Sequence, residues 1–179
     1  MNIGFDFDKV FVNYPPLVPK ILIDRIYKQK SNGILLYRIP SKPEQLLRLI
    51  SHHHRLRPMI KENLIVLQTI ATQNNHKLYL ISSRFGFLRK PTDKIVKKHT
   101  LEKFFHELHF NFDDKQPHLF KDERLKKLAI ERYVDDDLPL LKFLAKRNHK
   151  IKFFWLNNKK QEKMSRNLYA ITNLGDILK

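Results

Sequence analysis

At 179 residues the chain is long enough for one packed domain with a small appendage, and its 42% of hydrophobic residues, thirteen Phe and six Tyr among them, exclude a disordered chain. No run approaches the ~20 apolar residues that span a bilayer and no basic-then-apolar leader opens the sequence, while the absence of cysteine excludes disulfides, thiolate nucleophiles and Cys-based zinc; a soluble, cytoplasmic protein with no membrane partner is expected. Lys and Arg outnumber Asp and Glu by 35 to 18, a net charge of +17, which draws anions over long range and favours phosphorylated ligands or nucleic acid as partners, unless these cations only solvate helix faces.

The elements follow in chain order. Residues 2–7, NIGFDF, read as a short apolar strand, and the next extended apolar run is KLYLIS at 77–82. Between them Pro15, Pro16 and Pro19 break regular structure, residues 21–29 carry apolar groups at helical spacing, and Asn32-Gly33 marks a turn. EQLLRLISHH then predicts an amphipathic helix with Ser41 as N-cap ahead of Pro43. Residues 14–57 thus read as a small, mainly helical insertion.

From Pro58 a longer helix carries Ile60, Leu64, Leu67 and Ile70 on one face and ends at Asn74-Asn75. Beyond strand 77–82 the pattern alternates: helix 91–105, strand 108–112, helix 120–131, strand 132–135, helix 137–147, strand 151–156, then a short strand and terminal helix in YAITNLGDILK. Such alternation predicts an α/β fold, a Rossmann-like and mainly parallel sheet with helices on both faces.

Ligands of open parallel sheets bind outside the carboxyl ends of the strands. Those ends read Asp6-Phe7-Asp8, Ser82-Ser83-Arg84 and Asp135-Asp136-Asp137. So many carboxylates at one partly desolvated edge are strongly unfavourable without a cation. Hard oxygen ligands with no His or Cys beside them favour Mg²⁺, which shares its shell between a few carboxylates, water and phosphate.

The set resembles the haloacid dehalogenase superfamily, whose phosphatases carry a strand-end Asp-x-Asp-x-Thr/Val loop, here Asp6-Phe7-Asp8-Lys9-Val10. The second strand ending in Ser appears as Leu78-Tyr79-Leu80-Ile81-Ser82, and the paired acids of the fourth motif as Asp135-Asp136. The third motif, a lysine upstream of those acids, falls on Lys121 or alternatively Lys115. The resemblance implies a core of residues 1–13 and 58–179, with 14–57 as a helical cap like that of small nucleotidases. It also implies a Mg²⁺-dependent phosphatase that hydrolyses a nucleotide or other small phosphorylated compound through an aspartyl-phosphate.

By the same resemblance Asp6 is the nucleophile and Asp8 the general acid and base. Asp6, the Asp8 carbonyl and Asp136 hold the metal with Asp135 in support, while Ser82, Ser83 and Lys121 bind phosphate. Asp137 reads as a helix N-cap, and Arg84 either meets substrate or covers a helix end. His52, His53 and His54 point different ways on a helix and are expected at a solvated helix end, not on a metal. Tyr37 and Arg38 either meet substrate or pack. Lys9 departs from the family, which usually has glycine there. A second reading makes the chain a nucleic-acid-binding protein on this fold, or a nucleic-acid-end phosphatase.

Overall fold

The computed structural model describes residues 1–15, 28–31, 34–157 and 162–179. Its centre is strand β1 (Asn2–Phe5), whose residues are too apolar and too flanked to face water. Phe5 stands opposite Leu80 of β4 (Lys77–Ser82) on one side and Val134 of β6 (Arg132–Asp135) on the other, both in parallel register. β5 (Glu107–Phe110) flanks β4. On the far side follow β7 (Lys152–Leu156), β9 (Leu168–Ile171) and the two-residue antiparallel edge strand β8 (Glu162–Lys163), giving the order β5-β4-β1-β6-β7-β9-β8. β4 is buried at every position after Lys77, the continuous apolar signature of a parallel strand covered on both faces. Gly4 is required here, because a Cβ would stand 2.9 Å from the Tyr133 ring.

Helices cover both faces. On one, α2 (Lys61–Thr72) and α3 (Arg89–Lys98) enclose a core built on Phe5, Phe7, Leu67, Ile70 and Ile95. On the other, α4 (Pro117–Lys127) and α5 (Leu138–Arg147) pack Phe120, Leu125, Leu141 and Leu144 against Ile81, Tyr133 and Phe153. Short 3₁₀ turns at Gly86–Leu88 and Leu101–Lys103 frame α3, and another at Leu174–Leu178 stands where a terminal helix is expected. The α/β expectation holds, and no helix among the described residues is long and apolar enough to cross a membrane.

Between residues 14 and 57, the described residues match the helical reading in part and depart from it in part. Helix α1 (Lys42–Ser51) forms as expected, with Glu44 accepting from the N–H and Oγ of its N-cap Ser41 at 2.7 and 2.8 Å. Lys28–Ser31 (β2) and Ile34–Tyr37 (β3), however, pair as an antiparallel hairpin, so Lys28 and Gln29 are strand where helical spacing suggests helix. The physical reason is the Asn-Gly dipeptide between two extended runs, a hairpin signal that outweighs a helical pattern ending beside it. The rest of the expected helix, residues 21–27, lies outside the described residues.

Candidate active site

β1 continues one residue beyond its last ladder pair, the Asp6 N–H donating to the Val134 carbonyl at 2.9 Å. That bond aims Asp6 at the carboxyl edge of the sheet. The chain then closes a tight turn in which the N–H groups of Phe11 and Val12 donate to the Phe7 carbonyl at 3.0 and 3.1 Å. Phe7 and Phe11 are sealed into the core, which swings Asp8 out to the pocket side. Lys9 makes the turn possible at φ 63°, the left-handed region. Glycine enters that region freely and a side chain does so at a cost, which accounts for the glycine usual at this place. Lys9 then reaches Asn13 Oδ1 at 2.7 Å and lies 4.6 Å from the Tyr14 ring centre.

Asp6 and Asp135 are both buried, and a single cation joins them. Lys121 Nζ donates to Asp6 Oδ1 at 2.7 Å and to Asp135 Oδ2 at 2.6 Å. Asp135 is further fixed by the Tyr133 hydroxyl and the Asp137 N–H, both at 3.0 Å. Asp136 completes a group in which Asp6, Asp135 and Asp136 each offer an oxygen within 4.8 Å of the others. No hydrogen bond from the described residues reaches the Asp136 carboxylate.

The electrostatics follow. Burial, opposed by Lys121 and reinforced by Asp135, raises the Asp6 pKa to about 6. Burial and then the charges of Asp135, Asp6 and Asp137 raise Asp136 well above the usual carboxylate range. Burial works against the Lys121 ammonium, but Asp135 and Asp6 outweigh it and hold its pKa well above the ordinary lysine value. One lysine for three acids leaves the cluster short of positive charge. An oxygen-only set of this kind fits a Mg²⁺ ion.

Asp8 lies apart from that cluster. Its carboxylate takes a two-pronged bond from Arg84, both at 2.8 Å, and a further bond from Arg57. Both guanidiniums are buried, and Arg84 is anchored by Thr92 Oγ1 at 3.1 Å and by the Phe7 ring 4.5 Å away. Burial and then Arg84 lower the Arg57 pKa; two buried guanidiniums are tolerable side by side because Asp8 lies between them.

Asp6, Asp8, Arg84, Lys121, Asp135 and Asp136 line a cavity of about 140 Å³, which Ser82, Ser83, Tyr37 and His52 also border. Ser82 is buried, and Ser83 Oγ is buried with no hydrogen-bond partner among the described residues, which leaves a donor open at the cavity wall. The structure thus brings together Asp6, Asp8, Ser82, Ser83, Lys121, Asp135 and Asp136. It places Lys115, the alternative lysine, at the surface against Glu123 at 2.8 Å. Asp137 caps α5, as expected, and also takes the Tyr37 hydroxyl at 3.0 Å. Arg38 is exposed and bonds Glu44.

One sequence expectation fails here. His53 is solvated, but His52 is buried against the cavity with Nδ1 2.9 Å from the Arg48 carbonyl. The reason is that the end of α1 turns inward toward Arg84, so adjacent histidines face opposite environments. Arg57 was missed, and Arg84 was left between substrate and helix end; neither position carries a periodic signal, and Arg57 finds its partner 49 residues away.

No protein-family profile matches the sequence, and no curated protein sequence matches it. Solved structures do match in three dimensions. A haloacid dehalogenase superfamily hydrolase from Ehrlichia chaffeensis superposes at TM-score 0.56 with 12% identity, covering 98% of this chain and 93% of its own. A haloacid dehalogenase family enzyme from Bacteroides thetaiotaomicron, in complex with magnesium and inorganic phosphate, gives 0.55 at 13% identity over 89% and 95%. The Pnkp1/Rnl/Hen1 RNA repair complex contains a chain that gives 0.55 at 16% identity, over 87% of this chain and 42% of that one. The fold is therefore that of the haloacid dehalogenase superfamily hydrolases.

Proposed function

We propose that the protein is a Mg²⁺-dependent phosphomonoester hydrolase acting through an aspartyl-phosphate, with residues 14–57 as a cap over a core of 1–13 and 58–179. The observation that carries this is Asp6, buried at the strand end and ion-paired to Lys121, with Asp135 and Asp136 beside it. The neighbour that holds magnesium and phosphate on the same fold supports it.

Asp6, Asp136 and the Asp8 carbonyl would hold the ion, with Asp135 in support; bound there, it supplies positive charge to the transferring phosphoryl oxygens. Lys121 keeps Asp6 ionised at the instant of attack, and Ser82 and Ser83 receive phosphate oxygens. An Asp6 oxygen bonds to phosphorus as the ester P–O bond breaks, and the leaving oxygen takes the Asp8 proton. Asp8, now a carboxylate, removes a proton from water, whose oxygen attacks phosphorus, releasing phosphate and restoring Asp6. The bonds from Arg57 and Arg84 stabilise the carboxylate form of Asp8, the form the second step needs. Proton donation in the first step requires Asp8 to leave the Arg84 fork.

The test is hydrolysis of an aryl phosphate and a panel of nucleoside monophosphates and sugar phosphates, with Mg²⁺ or chelator. Wild type should turn over only with Mg²⁺, and Asp6→Asn should fall to background. Pure protein that cleaves none of them would sink the reading. A cation also stabilises the state that binds it, so Mg²⁺ should raise the melting temperature of wild type and leave Asp136→Asn unmoved.

A further inference from the structure

The cavity is small for a whole ligand. Its volume of about 140 Å³ falls below the ~300–1,000 Å³ in which small molecules are usually enclosed. A phosphoryl group and little else fits inside. Any larger substrate would extend past the mouth, where the surface has a distinct chemistry.

The wall residues Phe85 and Leu88 lead directly into α3, whose sequence RKPTDKIVKK sets five basic residues against one acid, Asp93. All five are exposed, and Lys90, Lys94 and Lys98 recur at i, i+4 and i+8, one face of the helix. None of the five lies within salt-bridge distance of a carboxylate among the described residues. On α4, by contrast, Lys126 is paired with Asp122 at 2.8 Å. A helix of uncompensated charge beside a phosphate pocket is a field aimed at an anion longer than one phosphate.

The field reaches the end of α1. The His53 and His54 rings lie 4.3 Å apart, and burial followed by the charges of His53, Lys98, Arg55 and Lys94 lowers the His54 pKa. The His54 ring is thereby held neutral at the end of α1, within the field of Lys94 and Lys98.

Aromatic faces accompany the charge. Phe85, on the pocket wall, stacks on the partly exposed Phe87 at 6.3 Å and 23°. The Arg89 guanidinium lies 4.8 Å from the ring centre of Phe112, which is partly exposed and stacks on Phe110 at 5.2 Å. The two aromatic loops are locked together: the Gly86 N–H donates to Asp114 at 2.7 Å, and a Cβ at Gly86 would meet the Phe112 carbonyl at 2.6 Å. Cations that track a backbone, beside a partly exposed ring such as Phe87 on which a base of any sequence can stack, are what single-stranded nucleic acid requires. A free metabolite would reach neither, and a phosphopeptide would use the charge without the rings.

We propose that the pocket takes the terminal phosphate of a single-stranded nucleic acid, with an end base on Phe87 and its backbone along Lys90, Lys94 and Lys98. This narrows the substrate of the hydrolase reading and rests on it. At 1.5 Å per residue the helix offers a track of about 15 Å, room for a few nucleotides.

The experiment compares single-stranded oligonucleotides, DNA and RNA, carrying a 5′ or 3′ phosphate with a mononucleotide, an aryl phosphate and a phosphopeptide. The proteins are wild type, Phe87→Ala and the Lys90→Ala/Lys94→Ala/Lys98→Ala variant. Binding is read separately from turnover by fluorescence anisotropy of labelled strands on Asp6→Asn. A phosphorylated strand should exceed the mononucleotide in kcat/KM by roughly tenfold or more, and each variant should lose roughly that factor through KM with aryl phosphate hydrolysis unchanged. The lysine variant should also flatten the log–log salt dependence of binding by about 2.

Hydrolysis of small esters with no preference for strands, or variants that match wild type on strands, would overturn the inference and leave the hydrolase reading standing. Equal preference for the phosphopeptide would overturn it too. Salt-sensitive strand binding by a protein that cleaves no ester would overturn the hydrolase reading and the substrate assignment with it.

Discussion

His52 should make the fold acid-sensitive in a way that one substitution removes. Its ring is 6% exposed, its Nδ1 lies 2.9 Å from the Arg48 carbonyl and 3.2 Å from Ser51 Oγ, and the guanidiniums of Arg84 and Arg48 act on it. Burial and then those charges lower its pKa to about 3, the Arg48 carbonyl pulling the other way. In the unfolded chain the group titrates near 6.5. Between pH 6.5 and about 3 the unfolded chain therefore holds a proton that the folded one refuses, so stability falls as pH falls and is regained as pH rises. Each unit is worth about 1.4 kcal/mol, so the loss from this group at pH 5 is about 2 kcal/mol, a large share of the ~5–15 kcal/mol of a typical domain. The assay is urea unfolding at about pH 7.5 and about pH 5 of wild type and His52→Gln, since the difference between the proteins cancels other histidines with lowered values, such as His118 and His109. Wild type should lose about 2 kcal/mol more than the variant over that interval. Equal losses would refute the reasoning, because they would mean that the folded protein protonates His52 freely.

Three further outcomes are expected. Lys121→Met leaves Asp6 and Asp135 buried without their shared cation and should cost about 3–5 kcal/mol in urea unfolding, where a change under about 1 kcal/mol would mean that the acids are held by something else. Arg84→Lys keeps the charge but cannot grip both Asp8 oxygens and Thr92 together, so aryl phosphate kcat/KM should fall roughly 10–100-fold with the protein still folded by circular dichroism. At Lys9, with φ 63°, the ordinary preference of folded chains for alanine over glycine should reverse: Lys9→Gly should melt higher than Lys9→Ala, by about 1 kcal/mol.

The sheet was legible because parallel strands buried on both faces must be apolar throughout, and a polar residue at the end of such a run is conspicuous. Asp6, Ser82 and Asp135 stood out for that reason, and the β4-β1-β6 register sets their strand ends side by side. Lys121 was harder, since one cation among 35 carries no mark; order along the chain chose it, and burial between two carboxylates sets it apart from Lys115. Arg57 and His52 were not legible. Each owes its role to a surface that exists only after residues far apart in sequence have packed, and local periodicity holds no trace of that. The hairpin was marked by Asn32-Gly33, but the helical spacing before it was given more weight.

The contacts that tie residues 34–57 to the rest of the chain include one to Asp8 itself. The insertion is tied to the core on two sides of the pocket. On one, Tyr37 exchanges backbone bonds with the Gln116 side chain, both at 3.1 Å, and donates its hydroxyl to Asp137. On the other, Arg57, at the end of the segment leading back from α1, holds Asp8 together with Arg84. Hydrogen bonds of the first kind each contribute about 0.5–1.5 kcal/mol net, so that side opens at a cost a bound substrate can offset. The second side is different, because withdrawing Arg57 would leave the Asp8 carboxylate with Arg84 as its remaining guanidinium partner among the described residues.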